Sequence, residues 1–550
     1  MQTKLLSSLE KCFLDEKIED KVEYKKGSCL KNEKYRFLLA YTAPEVDRRL
    51  QVKMKIKSDL RDRISVFKVE NVAVQMPHYH YKTDDNYLRK TPGLYPDPLI
   101  PIPGEEKIIY PTITLQTVLV EVDTTGLEKA GEYPITLSLY DFDGTFYEEK
   151  TFTLEVIDAV LPKQTLINTQ WFYCDCLMDY YKTAEFDEKH FEIIENYIKT
   201  AGEHGMNMIL TPVFTPPLDT LEGGERTTNQ LVDITLEGDK YTFDFTKLGT
   251  FVDISLKHGM EYFEIAHFFT QWGALHCPKI MVNVSGERKK FFGWGMDATC
   301  PEYRAFLEQF IPAFLSFMKE KGVDKKCVFH ISDEPKKEQL EDYLAARKVV
   351  ADLLEGYVIM DALSDYDFYT TGAVSCPVPG SNHIEPFLEN KVPDLWVYYC
   401  CSQAQEVSNR FVAMPSARNR VMGVQMYKYD IVGFLHWGYN FYYNRYSIAD
   451  INPFVVTDGE YFTPAGDCFS VYPAQDGTAW ASIRLKVFHD ALQDMQAMQL
   501  LESLTSKEYV VSLIDEGIEP ITFKSYPHST QWMLSLREKV NRAIKEHVAK

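Results

Sequence analysis

Two carboxylates stand side by side at Asp333 and Glu334, at the end of the run CVFHIS and directly before Pro335. Acids this close do not ionise independently, because each negative charge raises its neighbour's pKa toward the range a general acid needs at neutral pH. Near a strand end successive side chains point in different directions, so the pair can touch different atoms of one substrate, and Pro335 stops the strand from continuing in register. The same two residues also fit a helix start, Asp333 as the cap and Glu334 as a first-turn acid favoured by the dipole.

Around them the sequence offers groups of the kind that bind sugars. Trp171, His267, Gln271, Trp272, Asp361, Ser364, Tyr398, Tyr399, His436, Trp437 and Asn440 all fall at or just after apolar runs of strand length. Aromatic faces stack on the apolar faces of pyranose rings while polar neighbours bond the hydroxyls. Any one of these residues is explained by core packing; their recurrence at the same end of successive runs is the informative part. Glu264, inside YFEIAHFF, is a further acid positioned to line a barrel or to be paired in its core. Arg226, in GGERTTNQLVD, either reaches a site or braces the loop that carries it.

Placing these groups requires a scaffold, and from Leu161 onward the rhythm supplies one. Strand-like and helical stretches alternate, which predicts a parallel sheet of βα units. Eight strands are predicted: Ile167 to Phe172, Met206 to Leu210, Tyr262 to His267, Lys326 to Ser332, Tyr357 to Asp361, Ala373 to Pro377, Leu395 to Cys400 and Gly433 to Trp437. Between them FDEKHFEIIENYIKTAGEHG, EYRAFLEQFIPAFLSFMKEKG and QLEDYLAARKVVADLLEG carry apolar residues at helical spacing and end in glycine, and Ala481 to Leu504 closes the series. Eight such units predict a (β/α)8 TIM-like barrel, whose reactive residues sit at the C-terminal ends of its strands.

Before residue 160 the pattern is different. YRFLLAYTA, RLQVKMKIKS, ISVFKVENVAVQM, TLQTVLVEVDT, YPITLSLYDFDG and TFYEEKTFTLEVIDAVL are short period-two runs separated by turn residues, which predicts a β-sandwich. The fold class is therefore multidomain α and β, with a sandwich over residues 1–160 and a catalytic barrel with C-terminal helices over 161–550. Met76 to Glu105, rich in Pro, Tyr and His, interrupts the sandwich as a long flap, either packed on its own tyrosines or laid over a neighbouring site.

Composition removes other classes of function. With 59 Lys+Arg against 80 Asp+Glu the formal charge is −21, so nucleic acid and anionic membrane surfaces are expected to be repelled. The longest apolar stretch, Ile431 to Tyr443, is broken by His436 and Asn440 and is too short for a membrane span. The N-terminal MQTKLLSSLEKCFLDEK meets charge before any long apolar region, and eleven scattered cysteines do not form a disulfide framework, so a cytoplasmic protein with free thiols is expected. The close cysteine pairs, Cys174/Cys176 and Cys400/Cys401, lie far from His78 and His80, and neither a metal nor any other cofactor is expected. The GxSxG, GxxxxGK and GxGxxG motifs are absent.

The stretches LTPVFTPPLDT, AHFFTQWGALHCPKI, FHISDEP, DALSDYDFY, LWVYYCCSQ, SNRFVAMPSARNR and GFLHWGYNFYY resemble glycoside hydrolase family 123 over Ile167 to Leu501. That resemblance implies a sandwich joined to a catalytic barrel, and an exo-acting β-N-acetylgalactosaminidase that retains anomeric configuration by substrate assistance. The family's adjacent acids map onto Asp333, which would orient the 2-acetamido group, and Glu334, which would be the acid/base. The substrate-binding set expected from strand-end position is Trp171, His267, Gln271, Trp272, Tyr398, Tyr399, His436 and Trp437, with Tyr398 or Tyr399 donating to the acetamido oxygen. Two alternatives predict different behaviour: a barrel glycosidase with Asp361 or Glu264 as nucleophile would cleave sugars lacking an acetamido group, and a silent glycan-binding protein would bind without turnover.

Overall fold

The structure, a computed structural model, describes residues 1–45 and 50–549. Arg49, the first residue of the run RLQVKMKIKS, lies outside them. Two five-stranded sheets form the N-terminal part. The first runs, in spatial order, Gln2–Ser7, Lys34–Thr42, Gln116–Asp123, Ile64–Val74 and Gly93–Pro101; the second runs Lys26–Lys31, Phe146–Val160, Gly131–Asp141, Val52–Lys57 and Lys107–Ile109. Side chains from both sheets, among them Phe37, Val120, Leu137 and Leu154, share one buried apolar cluster.

The first sheet is buried on both faces, so YRFLLAYTA and TLQTVLVEVDT, read above as period-two runs, are in the structure buried almost continuously and do not alternate. Phe37, Leu39, Val118 and Val120 turn toward the second sheet. Leu38, Ala40 and Leu119 turn the other way, into a cluster shared with Phe434, Val487 and Phe488 of the C-terminal part. Apolar alternation therefore marks strands with one wet face, and its loss marks a layer packed on two sides.

From Ile167 the chain builds eight parallel strands: Ile167–Gln170, Met208–Thr211, Tyr262–Ile265, Cys327–Phe329, Val358–Ala362, Cys376–Val378, Trp396–Tyr398 and Gly433–His436. They pair in sequence order, the eighth returning to the first, and an isolated bridge from Gly380 to Tyr398 spans the gap between the sixth and seventh. The result is a nearly closed barrel-like sheet. Each of the eight predicted strands overlaps an observed one. The helices Glu188–Gly202, Thr246–Lys257, Pro301–Glu320, Leu340–Val350, Ser416–Lys428 and Ile483–Leu504 follow strands one to four, seven and eight, while strands five and six are followed only by the short helices Asp367–Thr370 and Glu385–Glu389. Loops after the second and third strands add a four-stranded sheet, and helices Lys507–Ile514 and Thr530–Val548 end the described chain.

The flap differs from its expectation. Gly93–Pro101 is a strand, and it is the outermost of its sheet. Pro96 and Pro98 cannot donate ladder hydrogen bonds, so an edge is where such a strand belongs, and two prolines concealed it from a reading by periodicity. The preceding residues lie across barrel loops: Tyr87 Oη donates to the Ala404 carbonyl at 2.7 Å, the Leu88 N–H donates to the Ala413 carbonyl at 2.8 Å, and Asp84 accepts from Arg418 at 2.8 Å. Among the described residues no helix is long and apolar enough to cross a membrane.

Candidate active site

At the C-terminal end of the barrel strands lies an open pocket of about 790 Å³. Asp333 and Glu334 line it, four and five residues beyond the end of the fourth strand, together with Trp171, Gln271, Trp272, Tyr398 and Trp437. The pair is held by its backbone. The Trp272 N–H donates to the Asp333 carbonyl at 3.0 Å, and the Glu334 N–H donates to the Ala362 carbonyl at 3.1 Å, tying the turn to the loop after strand three and to the end of strand five. Glu334 has φ +42°, Trp272 +58°, Asp219 +39° and Tyr446 +64°, and all four line the pocket. Non-glycine residues held in the left-handed region gather where surrounding structure fixes them for a purpose.

Electrostatics separate the two acids. Burial raises the Glu334 carboxyl, and a hydrogen bond from Tyr398 Oη to its Oε1 at 2.7 Å opposes the rise. Asp333 is raised well above the usual carboxylate range by burial and by the charge of Glu334, with His330 opposing. The pair therefore titrates as a unit, one proton being retained toward neutral pH.

Under the pocket floor His330 donates from Nε2 to Glu264 at 2.7 Å and from Nδ1 to Asp361 at 3.1 Å. All three side chains are fully buried. Against burial, which would favour the neutral ring, hydrogen bonds to Asp361 and Glu264 lift the His330 pKa to about 10, so it is an imidazolium. Glu264 also accepts from Trp171 Nε1 at 2.7 Å and from Thr169 at 2.6 Å, and Asp361 accepts from the Ile331 N–H and from Tyr343. The two carboxylates weighed as nucleophiles are thus spent on an internal ion network and do not line the pocket.

The other sequence-predicted residues divide. Trp171, Trp272, Tyr398 and Trp437 line the pocket, and Trp437 is oriented by donation of its Nε1 to Asp467 at 2.8 Å. Gln271 lines it while accepting from the Asp219 N–H and donating to the Thr220 carbonyl, bracing the loop after strand two. His267, Tyr399 and His436 lie elsewhere. His267 is buried flat against His330, ring centroids 4.3 Å apart; Tyr399 turns to the outer face of its strand and donates to Asn419; His436 accepts from buried Arg410 at 2.7 Å. A strand-end position selects the right layer of the barrel, but alternation along the strand sends adjacent side chains to opposite faces. Arg226 pairs with Asp175 in the core at 2.6 Å and lies 4.9 Å over the Tyr173 ring, supporting a pocket wall from behind.

Asp219, Tyr173, Arg445, Tyr446, Cys400, Cys401 and Phe462 also line the pocket. Asp219 accepts from the Tyr446 N–H at 2.9 Å, and burial brings its pKa to about 6. Its loop, TPPLDTLEGGER, signalled a turn-rich excursion without showing where the excursion leads. His267, His330 and Asp361 place three possible ligand atoms within 4.8 Å of one another. They do not suit a metal: both nitrogens of His330 carry protons donated to carboxylates, leaving that ring no lone pair to give.

The profile of the glycoside hydrolase 123 catalytic domain matches residues 171–501, more than half of the chain. The chain belongs to glycoside hydrolase family 123. Among solved structures, a family 123 glycoside hydrolase from Clostridium perfringens, studied for the details of glycolipid glycan hydrolysis, has the same fold at 13% identity, with a TM-score of 0.73 over 100% of this chain and 98% of that one. A Parabacteroides merdae β-glucuronidase matches at 9% identity and a TM-score of 0.29, over 84% of this chain and 50% of that one. None of the curated proteins matches. The family 123 glycosidase is thus a carbohydrate-active hydrolase whose domain covers every residue of the pocket, Trp171 to Phe462.

Proposed function

We propose that this family 123 protein is an exo-acting, retaining β-N-acetylgalactosaminidase, built from a β-sandwich over residues 1–160 and a (β/α)8 barrel over 161–550, in which the substrate's own 2-acetamido group is the nucleophile. The observation that carries the reading is the placement of acids around the pocket. Asp333 and Glu334 are adjacent in it, Glu264 and Asp361 are committed to His330 beneath it, and Asp219, the other carboxylate lining it, accepts from the Tyr446 N–H and is raised by burial to about 6. A mechanism with an enzyme nucleophile needs a second carboxylate across the scissile bond; one in which the acetamido oxygen attacks the anomeric carbon does not.

In this mechanism Glu334, whose carboxyl is raised by burial, donates to the departing glycosidic oxygen and then takes a proton from the attacking water. Asp333 accepts from the acetamido N–H, turning the carbonyl oxygen toward the anomeric carbon and stabilising the positive charge of the cyclised intermediate. Burial and the charge of Glu334 raise Asp333 while the His330 cation beneath opposes the rise, and donation from the acetamido N–H favours the ionised form that this task requires. Tyr398, the tyrosine whose hydroxyl reaches the pair, releases Glu334 to donate to the acetamido oxygen, and Trp171, Trp272 and Trp437 wall the ring.

A panel of chromogenic β-glycosides with and without the 2-acetamido group tests the reading. Turnover confined to 2-acetamido sugars, with galacto preferred over gluco, is the expected result. Equal cleavage of sugars without that group, or a 2-fluoro sugar leaving a stable adduct on Asp219 by mass spectrometry, would replace it with an enzyme-nucleophile mechanism.

A further inference from the structure

Tyr81 is 83% exposed, an unusual position for a large ring in a segment that is otherwise fastened down. Its neighbours are held by the barrel: the Gln405 amide donates to the Thr83 carbonyl at 2.7 Å, the Glu406 N–H to Asp84 at 2.7 Å, and the Leu88 N–H to the Ala413 carbonyl at 2.8 Å. His78, buried at the base, spans the turn, one ring nitrogen 2.9 Å from the Tyr79 carbonyl and the other 3.2 Å from the Lys90 carbonyl. Tyr81 is thus held in place by its fastened backbone while most of its ring stays in water.

What it stacks on gives its direction. Tyr81 lies face to face with Tyr79, centroids 5.3 Å apart and planes 25° from parallel. The Tyr79 hydroxyl donates to the Phe462 carbonyl at 3.4 Å and meets the Cys401 thiol, and Phe462 and Cys401 line the pocket that holds Glu334. Tyr79 therefore backs directly onto two residues of the pocket lining, and Tyr81 stands one ring further out, in solvent. They come from the connection between the strands Ile64–Val74 and Gly93–Pro101, outside the matched catalytic domain.

We infer that Tyr79 and Tyr81 form a stacking platform for the sugar on the leaving-group side of the scissile bond, making an oligosaccharide the substrate this site is shaped to take. The inference rests on the reading that the pocket holds the terminal sugar, because the next ring must then emerge at the mouth. A pyranose presents an apolar C–H face that matches an exposed aromatic face in shape and polarity. The platform carries no charge, so it selects for a ring and not for an acidic substituent.

Tyr81→Ala is the test, since an exposed side chain can be removed without opening the core. Against an oligosaccharide with a terminal β-linked 2-acetamido sugar, kcat/KM should fall by about tenfold, the worth of one stacked ring; against the methyl glycoside, which has no second ring, it should change less than twofold, and Tyr81→Trp should restore the oligosaccharide rate. Equal effects on both substrates, or none on the oligosaccharide, would overturn the platform. A failed choice of sugar chemistry is distinguished by calorimetry on Glu334→Gln, which needs no turnover. There, addition of Tyr81→Ala should weaken oligosaccharide binding about tenfold, and unchanged affinity, or no binding with Tyr81 intact, counts against it.

Discussion

Burial and the Tyr398 hydroxyl bear on Glu334 in opposite senses, and Asp333 is tied to it by its charge, which makes the pair's behaviour testable one residue at a time. Glu334→Gln should abolish turnover of glycosides with poor leaving groups while activated aryl glycosides, which need less protonation, retain far more of their rate. Equal loss across a leaving-group series would remove Glu334 from the acid's role. Asp333→Asn should lower kcat by on the order of 10² with substrate binding retained, as expected when a charge that matters in the transition state is neutralised in place; near-normal kcat would contradict the orienting role. Tyr398→Phe removes a hydrogen bond that stabilises the Glu334 carboxylate. Its carboxyl should then hold its proton to higher pH, and the alkaline limb of the kcat/KM profile should move upward; a downward shift would mean that Tyr398 assists protonation by another route. Sequence made Asp333 and Glu334 legible because a strand-end acid pair followed by proline is a local feature. His267 and His436 read equally well as site residues and are core residues, since which way a ring turns at a strand end depends on the layer beneath it, here Glu264, His330 and Arg410.

At the scale of elements, the strands were easier to read than the loops that complete the site. Every barrel strand left a short apolar run with a turn beside it, and three predicted helix stops, Gly205, Gly322 and Gly356, have the positive φ that glycine supplies. Asp219, Arg445 and Tyr446 sit on long connections whose paths no periodicity encodes, and Gly93–Pro101 was hidden by its prolines. Packing between elements is legible only afterwards. Helix Ser416–Lys428 lies against helix Ile483–Leu504, and a Cβ on Gly423 would come within 2.0 Å of the Ala491 carbonyl oxygen. Gly423→Ala should therefore cost about 1 to 3 kcal/mol by overpacking and lower Tm by several degrees, despite the better helix propensity of alanine. A variant as stable as the parent would show that the two helices can separate without penalty.

Across the whole molecule, the N-terminal sheets and the barrel are joined by charges buried in their shared face. Arg36 pairs with Glu121 and Asp490, Lys486 reaches Glu121 at 2.7 Å, and Arg537 bonds Glu33 at 2.7 Å and Asp494 at 2.9 Å, with Arg420 on the far side of Asp494. Breaking a buried pair from one side leaves a charge without compensation, which costs about 3 to 5 kcal/mol, a large part of the ~5 to 15 kcal/mol that holds a typical domain together. Arg537→Met is the informative change, because it strips a cation from Glu33 and Asp494 while keeping the volume of the stem. Burial alone would raise Asp494; Arg420 and Arg537 hold it below its ordinary value instead. A depressed carboxyl contributes stability that is present above its unfolded pKa of about 3.9 and is lost as pH falls through the lower folded value. The difference in unfolding free energy between parent and Arg537→Met should accordingly be full at pH 7 and shrink only as pH falls below about 3.9 toward pH 3, through the depressed folded value of Asp494. Denaturant unfolding at the two pH values measures it. A gap that stays the same at both would mean that Arg537 stabilises the junction through its packed methylenes and not through its charge.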